Sequence, residues 1–411
     1  MLALVILAAA ALLPAGSVVV ALPPKSLVLV VADGLGPEQL VKLPSAVRDD
    51  GDGRILAFDV EPYVAPGATY PESASAASAL STGCSVPSRW VSQVPSMTYP
   101  RTLGEMFANQ GKPTGVVSTT CAVDATVAAM FVHARERHIY TEIGDLMSGA
   151  GLSVVLGGIT HTMTRPSGAC VVRDRHETTN GALCESGPLV SEYGELNKLY
   201  ALECQYMPYA VDRDGSEVYP TLLEMTRRAV DELSAKSGDD GFFLMISADR
   251  IDHALHTGKR PNLDGELAEL DAVIAYLRDL FKDSPDTMVA FTSDHATEFN
   301  STRHSGSTVP GFIYTREAGR IGDVKGASIP QTSLRKLIFP TSRNACGAAM
   351  TGEFIVHHRE YGVGLMLTTI GVLIAMYALI VAVITHVGLP RGRYPAVGVA
   401  YRSRHPRGHA K

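Results

Sequence analysis

The chain has no cysteine pairs at zinc-ribbon spacing, no basic stripe outside its C-terminal tail, and no charged residue between Tyr361 and Val387. Each absence excludes something. The spacings of Cys84, Cys121, Cys170, Cys184, Cys204 and Cys346 rule out a structural zinc ribbon. In an oxidising compartment Cys170 and Cys184 are candidates to close a surface loop, although connectivity is not readable from sequence, whereas Cys121 reads as a small buried side chain. The tail holds six cations and no acid (Arg391, Arg393, Arg402, Arg404, Arg407 and Lys411), so the rest of a chain of net charge −6 sits near −12. That balance disfavours nucleic acid as a partner. Charge is sparse at 19%, but 46% hydrophobic residues over 411 positions are enough for a large core and exclude a mostly disordered protein.

The charge-free run at 361–387 gives about 25 helical residues, spanning about 37 Å at 1.5 Å each against a bilayer core of about 30 Å. It is expected to be a single transmembrane helix, with the basic residues 388–411 as a disordered cytoplasmic tail and the bulk of the chain extracellular or luminal. A glycolipid-anchor signal would end in its apolar stretch, so the basic tail argues against one. Residues 1–21 form an apolar run with small residues at Val19 and Ala21, read as a cleaved signal peptide with a retained anchor as the alternative. Between these ends, apolar runs at Ser26–Ala32, Pro113–Ser118, Ser153–Gly157, Gly241–Ile246 and Thr287–Thr292 read as strands. Helical patterns at Thr102–Gln110 and Asn262–Phe281 lie among them, and Thr160 to Asp214 reads as an irregular insertion over one edge. The rhythm predicts an α/β fold with a mostly parallel central sheet and helices on both faces.

Four segments carry side chains suited to chemistry. Asp33-Gly34-Leu35-Gly36 puts a carboxylate and two glycines at a strand end, turning into a helix; taken alone, it is an ordinary turn. The run from Pro71-Glu72-Ser73 to Gly83 is made of small residues that let a helix N-terminus approach an anion, although alone it is a low-complexity surface helix. Asp252 and His256 share one helix face if the chain is helical after Ile251, a spacing suited to one zinc ion; a solvated helix start is the alternative. Asp294-His295 follows the strand run Met288-Val289-Ala290-Phe291, and Arg303-His304-Ser305-Gly306 comes shortly after. The carboxyl ends of parallel strands are where an open α/β sheet places its active site.

In chain order these segments resemble the alkaline phosphatase family over nearly all of residues 22–355, read as the catalytic domain. Gly115-Val116-Val117-Ser118-Thr119-Thr120, Leu156-Gly157-Gly158 and Pro220-Thr221-Leu222-Leu223-Glu224-Met225 add to the likeness. The resemblance implies hydrolysis of small phosphomonoesters through a phosphoserine at Ser73, with two Zn2+ as cofactors. Asp33, Asp294 and His295 would hold one zinc beside Ser73; Asp252, His256 and His304 would hold the other. Arg137, downstream of His133, matches the arginine that grips phosphate, with Arg135 as the second choice. His253 matches a family position outside the metal ligands. The family's Mg2+ position would use Asp33, Thr126 and a glutamate, with Asp124 holding a metal-bound water.

Three departures stand out. Ser247 occupies the position of that glutamate, so the Mg2+ position is expected to be weak or empty unless Asp249 reaches in. Glu72 replaces an aspartate. Only eight residues separate His295 from His304, where the family has a sizeable insert that contributes to dimerisation, so a homodimer is left open. Competing readings are a catalytically impaired surface-binding member and a phosphodiesterase of the same superfamily. The Cys-x-Pro-x-Arg motif of sulfatases is absent.

Overall fold

The computed structural model describes residues 23–346 except for 50–53, 97–98, 159–162, 164–165, 194–196, 201–203, 317–320, 322–323 and 341–345. Residues 1–21, expected to be a signal peptide, the apolar run at 361–387 and residues 388–411 lie outside the described residues. Among the described residues no helix is long and apolar enough to cross a membrane.

In chain order the strands are β1 (Ser26–Val31), β2 (Ile55–Glu61), β3 (Thr114–Cys121), β4 (Val154–Gly158), β5 (Cys170–Val172), β6 (Leu189–Ser191), β7 (Asn197–Tyr200), β8 (Cys204–Tyr206), β9 (Phe243–Ser247), β10 (Thr287–Thr292), β11 (Ala296–Thr297), β12 (His304–Ser305), β13 (Val309–Tyr314) and β14 (Ser328–Pro330). A ten-stranded sheet has the order β14-β2-β13-β10-β1-β9-β3-β4-β6-β5. The central strands β10, β1, β9, β3 and β4 run parallel. Among the described residues of that sheet, β13 alone is antiparallel to its neighbours, β10 and β2, while β7 with β8 and β11 with β12 form separate antiparallel pairs.

The centre is built from continuous apolar runs because both faces are covered. All six residues of β1 are buried. Its Leu27, Leu29 and Val31 enter one core, and Val28 and Val30 enter the other. The helices that concern the site are α1 (Ser73–Thr82), α2 (Leu103–Ala108), α3 (Leu222–Ser237), α4 (Arg250–Thr257) and α5 (Arg260–Phe281). In α5, Leu263, Leu267, Leu270, Ile274 and Leu277 recur at helical spacing and are buried. Truncating one such leucine to alanine costs about 2–5 kcal/mol. Thr102 and Thr221 start α2 and α3 by capping boxes with Glu105 and Glu224.

Several expectations change. The helix expected after Gly36 is a 3-10 turn at Pro37–Lys42. The insertion over one edge contains β5 and β6, which extend the sheet. Cys170 and Cys184 are joined, with Cα atoms 5.9 Å apart, and Cys84 is joined to Cys346. Cys121 is buried as expected but is disulfide-bonded, which corrects its reading as a lone small side chain. Three oxidised pairs fit an oxidising compartment.

Candidate active site

The carboxyl ends of β1, β9, β3 and β10 converge on one cluster. β1 delivers Asp33 and turns at Gly34, whose φ of 75° is left-handed. A Cβ at Gly34 would lie 2.5 Å from Asp252 Oδ1, so only glycine fits both the turn and the close approach. The Gly34 N–H donates to Asp294 Oδ1 at 3.3 Å, locking the ends of β1 and β10 together.

His295 stands at the focus. Its Nε2 lies 3.1 Å from Ser73 Oγ and 3.4 Å from both Asp33 Oδ1 and Asp294 Oδ2. Those two carboxylate oxygens are buried and have no hydrogen-bond partner. Unpaired buried carboxylate oxygens are costly, and a cation is what such a cluster lacks. Ligand atoms of Asp33, Asp294 and His295 all lie within 4.8 Å of one another, as do those of Asp252, His295 and His304. His256 joins the second group, its Nε2 being 3.2 Å from Asp252 Oδ2 and 3.3 Å from His304 Nε2. The fold thus brings all six sequence-nominated ligands to one place, with the His295 and His304 rings stacked at 3.8 Å between the two groups.

Carbonyl partners orient the imidazoles. His304 Nδ1 donates to Pro71 O at 2.8 Å, and His256 Nδ1 donates to Ser301 O at 2.5 Å. A carbonyl only accepts, so each ring turns its Nε2 towards the cluster, as metal-binding histidines do. Thr297 Oγ1 donates to Asp252 Oδ1 at 2.5 Å and sits 3.4 Å from His295 Nδ1, ordering the third ring in the same way.

The electrostatics match a site built around positive charge. Burial, then Asp294, Asp252, Asp249 and Asp124, raises the Asp33 carboxyl well above its usual range. Burial followed by Asp252 pushes Asp294 up to about 7. Burial pushes His295 down to about 3, with His304 adding to the shift. Its hydrogen bond to Asp252 raises His256 to about 8. Burial alone would raise Asp252, but His256 and His295 hold it low.

Ser73 is the first residue of α1, all ten of whose residues are buried. Their small side chains allow that depth. Glu72 caps the helix by accepting from Ala74 N at 3.0 Å and Ser75 N at 3.2 Å. Arg137 NH1 donates to Glu72 Oε1 at 2.5 Å and NH2 to Asp124 Oδ1 at 3.4 Å. Burial opposes ionisation of Glu72, but Arg137 and three backbone donors bring it down to about 2. Arg135 instead lies over the Trp90 ring at 5.9 Å, so Arg137 is the arginine at the site.

Thr126 Oγ1 donates to Asp33 Oδ2 at 3.2 Å. Asp249 is buried beside this pair, accepting from Thr120 Oγ1 at 2.5 Å, Ser118 Oγ at 3.1 Å and Ser247 Oγ. Burial and then Asp124 push Asp249 up to about 7. His253 Nδ1 accepts from Arg250 NH1 at 3.1 Å, outside the two ligand groups. Thr297 escaped the sequence reading, and Ser118 and Thr120 entered it only as part of a stretch adding to the family likeness, not as donors to Asp249. The only signal for Thr297 was its place two residues beyond His295, and hydroxyls on a strand carry no spacing signature.

A carboxylate–imidazole cluster suited to holding metal ions, at the carboxyl ends of parallel strands and facing a serine on a helix N-terminus, marks the class of this α/β protein. Its family can be stated: the chain belongs to the alkaline phosphatase family, whose model matches residues 24–169 and 196–325. The tissue-nonspecific alkaline phosphatase of Gallus gallus is 26% identical over 345 residues, covering 67% of this chain and 64% of that protein. Alkaline phosphatase 3 of Bacillus subtilis is 26% identical, with 66% and 61% covered. The repressible alkaline phosphatase of Saccharomyces cerevisiae is 28% identical, and the chain covers only 55% of its length. The alkaline phosphatase of the Antarctic bacterium TAB5 shares the fold at a TM-score of 0.63 and 20% identity, covering 77% of this chain and 97% of that one. That of Thermus thermophilus gives 0.65 and 19%, covering 81% and 96%. The family uses metal ions.

Proposed function

We propose that this chain hydrolyses phosphate monoesters through a phosphoserine at Ser73, with two zinc ions held by Asp33, Asp294 and His295 and by Asp252, His256 and His304. The carrying observation is the convergence of Ser73 Oγ and two unpaired buried carboxylate oxygens on His295 Nε2. Carboxylate oxygens and neutral imidazole nitrogens are the donor set zinc takes. Bound there, the ions supply Lewis acidity that lowers the pKa of a hydroxyl or a water and offsets charge on the leaving oxygen.

The chain's own residues do the rest. Ser73, fixed by the helix start, releases its hydroxyl proton to solvent and attacks phosphorus in line as the bond to the leaving oxygen breaks; that oxygen takes up one proton from solvent, so the protons balance. Arg137 has five N–H donors and spends one on Glu72 and one on Asp124, which leaves its fork able to hold two phosphoryl oxygens. Water then attacks the phosphoserine, returning Ser73 Oγ and releasing inorganic phosphate.

At the third position, three hydroxyls already occupy the Asp249 carboxylate, and Ser247 offers no charge. We read magnesium binding there as weak, although a TAB5 variant has magnesium bound in its M3 site. Anchoring through 361–387, with the catalytic domain outside, is part of the proposal; the disulfides support that compartment.

The test is p-nitrophenyl phosphate hydrolysis by the full chain in detergent, after chelation and zinc reconstitution, beside Ser73→Ala. Zinc-restored turnover that the variant lacks is expected. No zinc-dependent turnover would favour a silent binding protein, and faster cleavage of a diester would favour a phosphodiesterase.

A further inference from the structure

We propose that Arg89 is a positioning residue that sets the orientation of Arg137 and through it the affinity for phosphate; this rests on the phosphatase reading above. Arg89 has a φ of 70°, a left-handed conformation uncommon for a residue with a side chain. That turn directs its two backbone groups to opposite ends of one assembly. Its N–H donates to Glu72 Oε2 at 2.9 Å, and its carbonyl accepts from Arg137 N at 2.9 Å.

The side chain completes the grip. Nε and NH2 fork onto Glu136 at 3.0 and 2.7 Å, and NH2 donates to His138 Nδ1 at 2.9 Å. Both residues that flank Arg137 in sequence are therefore held by one guanidinium. Glu72 uses its two oxygens separately: Oε1 takes Arg137 and Ala74 N, while Oε2 takes Arg89 and Ser75 N. The methylene by which Glu72 exceeds an aspartate is matched by a neighbour that its second oxygen reaches. A single exposed ion pair contributes little, but a bidentate fork in a network with two backbone bonds fixes geometry.

The experiment measures inorganic phosphate binding to the zinc-loaded full chain by calorimetry, together with KM, kcat and melting temperature. Arg89→Gly removes the side chain and tolerates the left-handed backbone, Arg89→Lys keeps the charge without the fork, and Arg137→Ala is the reference. Arg89→Gly should weaken phosphate binding and raise KM by about fivefold to tenfold, with kcat and melting temperature near wild type. Arg89→Lys should recover little. Unchanged phosphate affinity in Arg89→Gly, where Arg137→Ala has lost it, overturns the proposal. So does a loss that tracks a fallen melting temperature, or full rescue by lysine. If wild type binds no phosphate, or Arg137→Ala binds as wild type does, the site reading itself fails and takes the proposal with it.

Discussion

Replacing Thr297 by valine removes one hydroxyl and almost no volume. In the wild type that hydroxyl donates to Asp252 Oδ1 at 2.5 Å and stands 3.4 Å from His295 Nδ1, so it serves a proposed ligand of each zinc. Deleting it leaves a buried carboxylate oxygen without its donor. Hydrogen bonds to charged groups contribute about 1.5–3 kcal/mol. Loss of such support around metal ligands typically lowers affinity by about 10–100-fold, or about 1.4–2.7 kcal/mol, so the two estimates agree. Competition with a chromophoric chelator at fixed pH should show that weakening in Thr297→Val, while Thr297→Ser, which keeps the hydroxyl, stays near wild type. Equal affinity in valine variant and wild type would refute the reasoning, as would a serine variant as weak as the valine one.

Gly34→Ala should cost several-fold in zinc affinity and lower the melting temperature, because its Cβ would meet Asp252 Oδ1 at 2.5 Å in a left-handed turn; a wild-type melting curve would contradict the packing. The metal-stripped protein should lose stability between about pH 6.5 and 8, above the range in which His295, pushed down to about 3, contributes the opposite slope. Asp249 and Asp294, both raised to about 7, and His256, raised to about 8, bind protons in the folded state. Their contributions are complete below the unfolded values and are lost as pH rises through the folded ones. Zinc should flatten the dependence, and a melting temperature that climbs across that window without metal would count against the cluster. Magnesium added to the zinc-reloaded chain should activate only at about millimolar concentration, as expected of a site short of a carboxylate; tight activation in the micromolar range would show that Asp249 serves as a ligand.

The sheet's centre was legible because β1 and β10 are unbroken apolar runs, which only a strand covered on both faces needs. β13 was not, since Pro310 and Gly311 interrupt its pattern, and β2 alternates with Asp59 and Glu61. The ligands could be nominated because four segments, each weak alone, resemble one family in chain order; spacing by itself left Asp33 in an ordinary turn and Asp252 and His256 on a solvated helix start. Their joint focus on His295 could not be read, because it depends on registers between strands more than two hundred residues apart, such as Ser26 opposite Thr287. Arg137 and Arg135 were separable only by where each guanidinium goes. The disulfide at Cys121 had no spacing to announce it, and the hydroxyls around Asp249 come from β3 and β9, which meet only in the sheet.

The Cys84–Cys346 bond closes a covalent ring across a sequence separation of 262 residues. β1 and the nucleophile helix hang outside that ring as a free N-terminal arm, yet β1 threads the middle of the sheet. A protease that cuts any loop between the two cysteines therefore opens the ring without dividing the molecule. Only a cut in the arm, or a cut in the ring combined with reduction, separates Ser73 from the rest of its site.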